Sequence, residues 1–366
     1  MSSTPSDISD SFAGQHVLVT GASGFIGWHV ARQLVAAGAR VKALVRATSP
    51  RGAEVFDWFE GDLLQKESLD AAVKGCRYVF HVAGDYRFWA RQPREIFANN
   101  VQGTINLLEA AKAAGVEKIV VTSTTGILQR GAPGQLASED RLGSASHFKG
   151  PYKSSKFQAY LETKQRADAG WPIVTALPTA PVGPHDLKPT PTGMIIVQFL
   201  NGRIPMLART GLNFVDVRQC ALGHLLAMSR GKPGERYLLG GVNLWLREFL
   251  QRLEPYSKHR APKLHAPHWL SFATACASET VARMSSRWVP FVTRESVRMS
   301  RGPHFSSNAK AETELGYETT SVDDAIRDAV QDFAERGLVP VPLNIHAGPL
   351  QNSGEGTQHK PAYGNR

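Results

Sequence analysis

No stretch of this 366-residue chain approaches the ~18 consecutive apolar residues that a membrane-crossing helix needs. The longest apolar window, residues 269–277, is interrupted by Ser271 and Thr274 and lies between His268 and Glu279. The opening residues (MSSTPSDISDS) carry no apolar core, so they do not read as a secretory signal. Cysteine is scarce. Cys76, Cys220 and Cys276 are far apart, nothing reads CxxC, and an odd count argues against a disulfide framework. Reduced thiols in a cytoplasm are the simplest expectation. There is no GxSxG elbow, no HExxH, no P-loop and no internal repeat. His265 and His268 form an HxxH, but Pro267 separates them and no cysteine or acid cluster is near, so no metal site is expected.

A further absence carries chemical information. No Asp or Glu occurs between Asp10 and Glu54. Basic residues, in contrast, are in excess: the net charge is +10. Residues 250–310 hold ten Lys/Arg against three acids, and so account for +7 of it. Such a surface can face an anionic membrane, a phosphorylated substrate or nucleic acid, or can simply be a solvated face. No base-stacking aromatic pattern accompanies it, so nucleic acid is not an expected partner. Residues 269–284 (WLSFATACASETVARM) could form an amphipathic helix within this basic stretch, either on an anionic membrane or packed on a lobe.

Short apolar runs at residues 16–20, 41–45, 55–60, 78–82, 118–122 and 173–177 alternate with helical stretches. Runs such as HVLVT and KIVVT are apolar almost throughout, as strands buried on both faces of a parallel sheet require. Between the first two, Ile26, Val30 and Leu34 recur at helical spacing. Strand, helix, strand in this order predicts an α/β, doubly wound Rossmann fold. Residues 1–13 read as disordered and 341–366 as a loose tail. Residues 14–184 read as a dinucleotide-binding domain, with elements near 213–240 returning to it. Residues 185–340 read mostly as a substrate lobe. Residues 178–191 are crowded with Pro and Gly and read as an irregular loop, and a last helix is expected over 321–336.

Five motifs carry chemistry. Residues 20–27 (TGASGFIG) place Gly21, Gly24 and Gly27 between a strand and a helix. There they allow a tight turn, close backbone approach to a pyrophosphate, and a helix N-terminus aimed at phosphate. The second strand ends in Arg46, with Arg51 nearby, where a site built for NAD would place an acid. Arg46 can pair with a ribose 2′-phosphate, favouring NADP(H), or stack on adenine and leave NAD(H) open. Asp62, in Gly61-Asp62-Leu63, can accept from an adenine amine or be an ordinary loop acid. Tyr152 and Lys156 stand at i, i+4 on one helix face, so a cation can lower the phenol toward neutrality. The hydroxyls of residues 122–125 end the fifth strand, where Thr124, with Ser123 as competitor, can bond a substrate oxygen.

With these residues in place, the chain resembles the extended short-chain dehydrogenase/reductase superfamily. The match comprises TGxxGFxG at 20–27, GDL at 61–63, HVA at 81–83, NVQGT at 100–104, the hydroxyl cluster, YxxxK at 152–156 and the loop led by Pro178. Within the superfamily it is most similar to the hopanoid-associated sugar epimerases, themselves close to dihydroflavonol reductases and 3β-hydroxysteroid dehydrogenases. Residues 85–104, 188–211 and 231–241 carry that likeness. The resemblance implies a catalytic set of Thr124, Tyr152 and Lys156, with Lys156 also on the nicotinamide ribose. It implies cofactor contacts from Gly21, Ser23, Gly24, Phe25, Ile26, Gly27, Arg46, Asp62, Leu63, Ala83, Pro178 and Thr179. Substrate contacts are expected from Asp85, Tyr86 and His185. Many relatives carry Ser in place of Thr124. The expected activity is hydride transfer at a secondary carbinol or ketone of a sugar or lipid-type substrate, as an epimerase or a net reductase. A non-catalytic dinucleotide-binding regulator is the alternative from another class. A cytoplasmic homodimer, with peripheral contact to an anionic inner membrane, completes the expectations.

Overall fold

The structure is a computed structural model and describes residues 6–49, 51, 56–131, 134–284, 290 and 292–343. The apolar runs form strands close to where their patterns put them: β1 (His16–Thr20), β2 (Arg40–Val45), β3 (Asp57–Glu60), β4 (Tyr78–His81), β5 (Lys118–Thr122) and β6 (Ile173–Pro178). A later strand, β9 (Arg236–Leu239), joins them, and the seven lie in the order β3-β2-β1-β4-β5-β6-β9. Every pairing in this sheet is parallel. Parallel strands are buried on both faces, which explains why β1, β5 and β6 show no polar alternation. Val17, Val19, Phe80 and Val120 enter one core with the helices Phe25–Ala36 and Val217–Ser229. Leu18, Val79, Ile119 and Val121 enter the opposite core with Lys66–Val73 and Gly103–Ala113.

Chain order reverses between β1 and β4: β2 and β3 run to one side, and β4, β5 and β6 to the other. The carboxyl ends of β1 and β4 meet there, with Thr20 level with His81. Open parallel sheets bind ligands at this point.

Three expectations need correction. Residues 1–13 are not uniformly disordered, because Ser6–Phe12 is a helix. Ile8 and Phe12 are fully buried in the first core, where Phe12 meets Tyr78 edge-on at 5.9 Å. The polar residues around them concealed a two-residue apolar anchor. Residues 178–191 are not all loop. β7 (Ala180–Val182) pairs with β8 (Gly211–Asp216), and β10 (Val242–Trp245) completes a three-stranded sheet. β7 is the edge strand, where Pro181 is tolerated. The segment 309–317, inside the stretch read as substrate lobe, instead sends Ala311, Leu315 and Tyr317 into the first core. The last helix is Asp323–Glu335, packed through Ile326, Val330 and Phe333 on the cluster around the smaller sheet. Of the tail expected at 341–366, residues 344–366 lie outside the described residues.

Replacing Phe12 with Ala should destabilise the protein by about 3–5 kcal/mol, as expected for a large buried aromatic. Guanidinium unfolding measures this, and an unchanged midpoint would show that the N-terminal helix does not hold to the sheet.

Candidate active site

The turn after β1 admits no side chains. Gly21 takes φ +76°, and a Cβ there would stand 2.7 Å from the Ala83 nitrogen. A Cβ on Gly27 would overlap the Gly21 carbonyl. Gly24 precedes the helix Phe25–Ala36 in extended conformation, with no side-chain cap on the first-turn N–H groups. Those N–H groups form an anion cradle at the cavity wall. The turn is braced from behind. Ala83 N–H donates to Thr20 Oγ1 (3.2 Å), which in turn reaches His81 Nδ1 (2.8 Å). His81 Nε2 meets Thr104 Oγ1 (2.9 Å), whose hydroxyl donates to the Asn100 carbonyl (2.6 Å). Thr104 has spent its proton, so Nε2 carries the imidazole hydrogen and Thr20 donates to Nδ1. Burial lowers His81 to about 3, helped by the Lys156 charge, so the ring is neutral throughout the working pH range.

A cavity of about 2200 Å³ runs from this turn along the strand ends into the smaller sheet. Gly21, Ser23, Gly24, Phe25, Ile26 and Gly27 line it, as do Arg46, Asp62, Leu63, Ala83, Pro178 and Thr179. Arg46 is exposed at the end of β2, and among the described residues no acid pairs with it. Arg51, by contrast, is bound to Glu60 at 2.6 Å. Asp62 Oδ1 accepts from Leu64 N–H at 2.8 Å and shapes the turn. Ser123 Oγ and Thr179 Oγ1 are buried on the cavity wall without a partner among the described residues. Uncapped N–H groups, a glycine cradle and two orphaned hydroxyls fit a nicotinamide dinucleotide.

Tyr152 opens the helix Pro151–Asp168, and both Tyr152 and Thr124 line the cavity. Burial raises the Tyr152 phenol above its ordinary value; a hydrogen bond with Thr124 opposes the rise, and the Glu295 charge adds to it. Thr124 Oγ1 also accepts from Gly126 N–H (3.1 Å). Lys156 lies behind the wall rather than on it. Its ammonium donates to the Thr122 carbonyl (2.9 Å) beneath Gly84, and burial lowers it to about 8. The expected drop in the phenol is therefore absent in this state. Asp85 and Tyr86 line the cavity, Asp85 gripped by Arg87 through both oxygens and Tyr86 donating to the Lys188 carbonyl (3.1 Å). His185 does not line it. It takes φ +69° and stacks on Trp28 with ring centroids 3.8 Å apart. Among the described residues no group of three His, Cys, Asp or Glu could hold a metal.

Four further residues belong to the site. Asn100, in a π-helical turn (Ala98–Gln102), donates to Ser155 Oγ and to the Asp85 carbonyl at 2.9 Å each. It thereby ties the β4 loop to the tyrosine helix. NVQGT flagged the position without its role. Arg130 and Lys153 line the cavity beside Tyr152. Glu295 has no signal in the sequence, being 143 positions from Tyr152. It is 3% exposed and accepts from Lys153 N–H (2.8 Å) and Tyr152 N–H (3.3 Å), capping the helix from the other part of the chain. A Cβ on Gly150 (φ +125°) would overlap its carboxylate.

Residues 17–240 match the model of the NAD dependent epimerase/dehydratase family. The chain is 39% identical to a provisionally named dihydroflavonol 4-reductase of Synechocystis sp., over 88% of this chain and 95% of that one. It is 31% identical to sterol demethylase protein B of Methylococcus capsulatus, over 88% and 99%. Among solved structures, gox2253 superposes with a TM-score of 0.79 at 40% identity, covering 89% of this chain and all of that one.

Tyr152→Phe should lower turnover by at least ~10²-fold while dinucleotide affinity is kept; near-normal turnover would remove Tyr152 from the chemistry. Glu295 gives a stability test. Burial pushes it up to about 7 against its two backbone bonds. A carboxyl raised above its unfolded value contributes stability at low pH, which is lost as pH rises through about 7. The stability advantage of the native protein over Glu295→Gln should therefore shrink from pH 5 to pH 8 in urea titrations. A pH-independent difference would contradict the burial of this carboxyl.

Proposed function

The chain belongs to the NAD dependent epimerase/dehydratase family, and within it we propose an NADP(H)-using reductase of a ketone on a small sugar or lipid-type molecule. It is an NAD(P)-dependent oxidoreductase or epimerase of the extended short-chain dehydrogenase/reductase type. Its fold is the Rossmann α/β fold. The preference for NADP(H) rests on Arg46, which lines the cavity at the end of β2, the position where an NAD site would carry an acid, and which no acid pairs with among the described residues. The glycine turn would hold a nicotinamide dinucleotide, whose chemistry there would be the gain or loss of a hydride. Tyr152 then moves the proton at the substrate oxygen and Thr124 orients that oxygen. Lys156 raises the local positive potential from below Gly84 and would be the residue to hold the ribose. Pro178 and Thr179 would flank the nicotinamide, and Asp62 and Leu63 the adenine. Asp85 and Tyr86 shape the substrate end. The division near residue 184 follows as a proposal, with the nucleotide bound by the part before it and the substrate held between that part and the one after it.

An anionic bilayer is a proposed partner. The helix His268–Met284 buries only Ala275, Glu279 and Ala282, while Trp269 is 71% and Met284 84% exposed. Leu270 and Val281 share that outer side. Lys149, Arg298 and Arg301 surround the Trp269–Phe272 end, and the one helix acid, Glu279, faces Arg294 inside. A second copy would set like charges together, whereas anionic lipid complements them. Among the described residues no helix is long and apolar enough to cross a membrane. A cytoplasmic site suits the free thiols Cys76, Cys220 and Cys276. A homodimer is proposed from family likeness alone.

Titration with NADPH, NADH and their oxidised forms, with identification of any nucleotide that co-purifies, tests the cofactor. NADPH should bind ~10–100-fold more tightly than NADH, and Arg46→Ala should erase the difference. Tightly retained NAD would instead support an epimerase that recycles its own cofactor. Co-sedimentation should show binding to phosphatidylglycerol vesicles that weakens with salt and with the double variant Trp269→Ser, Met284→Ser. No binding at low salt overturns the membrane contact.

A further inference from the structure

The charges in the cavity are unevenly placed. Its acids, Asp62, Asp85, Glu95 and Asp186, lie towards the β2–β4 loops or the start of the helix Pro191–Leu200. All four are already engaged: Asp85 and Glu95 by Arg87, Asp186 by the Thr190 N–H and hydroxyl, and Asp62 by the Leu64 N–H. On the Tyr152 side the wall carries Arg130 and Lys153. Among the described residues neither has an ion pair closer than 4.0 Å. Arg130 donates to the Met299 carbonyl (2.9 Å) and reaches His304 Nε2 (2.7 Å), which orients it without neutralising it. The Lys153 ammonium has no hydrogen-bond acceptor among the described residues. Glu295 is the nearest acid, but both its oxygens take backbone N–H groups of the tyrosine helix and it does not line the cavity.

This pair stands next to the reacting groups. A Cβ on Gly126 would be 3.3 Å from Thr124 Oγ1 and 3.7 Å from Lys153 Cε, so one glycine separates them. Both cations are half-buried; withdrawing them partly from water without a counter-ion is costly, and the cost is recovered when an anion enters. We propose that Arg130 and Lys153 form a subsite for an anionic group of the substrate, a carboxylate or a phosphate, beside the Thr124–Tyr152 pair. The assignment rests on the cavity being the catalytic site and narrows its substrate to an anionic carbinol or ketone. Lys153 answers as a point charge and Arg130 as a fork that can grip two oxygens. Burial and the neighbouring Arg130 lower Lys153 to about 8, the state an incoming anion would reverse.

The test uses the full chain saturated with NADP⁺, so that the dinucleotide's own phosphate positions are filled. Calorimetry then follows inorganic phosphate, pyrophosphate and succinate at constant ionic strength. Saturable binding is expected, ~10–100-fold weaker in Lys153→Met and in Arg130→Gln. Lys153→Arg should retain it, as should Arg283→Gln, which removes an equal charge from the exposed helix. A preference for succinate or for the phosphates identifies the group. Absence of saturable binding, or equal binding in all variants, overturns the subsite. NADP⁺ affinity is measured separately on each protein. Its failure would sink the cofactor reading, while the anion titration, repeated without NADP⁺, would still decide on Arg130 and Lys153.

Discussion

No side chain fits between the turn after β1 and the start of the loop after β4. Gly21 faces the Ala83 backbone, and Gly27 faces Gly21. This close approach draws together the carboxyl ends of two strands at the point where chain order reverses. It persists because the polar groups behind it are fully paired. The Thr20–His81–Thr104–Asn100 relay runs in one direction, with a neutral imidazole at its centre. A charged His81 would present two donors to a chain that needs one donor and one acceptor. The same Asn100 holds Asp85 and Ser155, so the glycine turn, the β4 loop and the tyrosine helix form one bonded unit.

The tyrosine helix is fixed at its other end by Glu295. A helix entered through Gly150 has no side-chain cap of its own, and a carboxylate from the far part of the chain supplies one. The electrostatic consequence opposes the chemistry, because the Glu295 charge raises the Tyr152 phenol. Acid–base work near neutrality then depends on positive charge brought close to the phenol. Lys156 can provide it only from beneath Gly84, where its ammonium is already bonded to Thr122. The helix is thus positioned by an acid and must be activated by cations.

Much of the fold was legible because buried parallel strands are apolar almost throughout. Six of the seven strands of the main sheet, and the glycine turn, follow from that pattern and from the spacing of the glycines. What stayed hidden depended on contacts distant in sequence. Ser6–Phe12 reads as polar because only Ile8 and Phe12 enter the core. β7 exists through pairing with β8 rather than through its own Pro-containing sequence. In the site, motif residues lay close to where they were expected, since a local turn or helix places them. His185 did not: at a positive φ in a Pro/Gly-rich loop, it stacks on Trp28 and does not line the cavity. Glu295 reaches Tyr152, and His304 reaches Arg130, only through the packing of the two parts of the chain.

The basic segment also changes meaning once folded. Its excess is counted along residues 250–310, yet Arg252, Arg260, Arg294 and Lys310 are held by Asp323, Glu254, Glu279 and Glu235. Two of those acids come from outside the segment, so the free positive charge is smaller and more local than the sequence count. It concentrates where Arg298 and Arg301 meet Lys149. Arg301 faces both that surface cleft and the main cavity, and its charge is felt at Arg130. Positive potential therefore extends from the protein surface to the side of Tyr152. Such a gradient acts chiefly on the encounter rate of an anion and is screened by salt, whereas the half-buried pair at its inner end governs how long the anion stays.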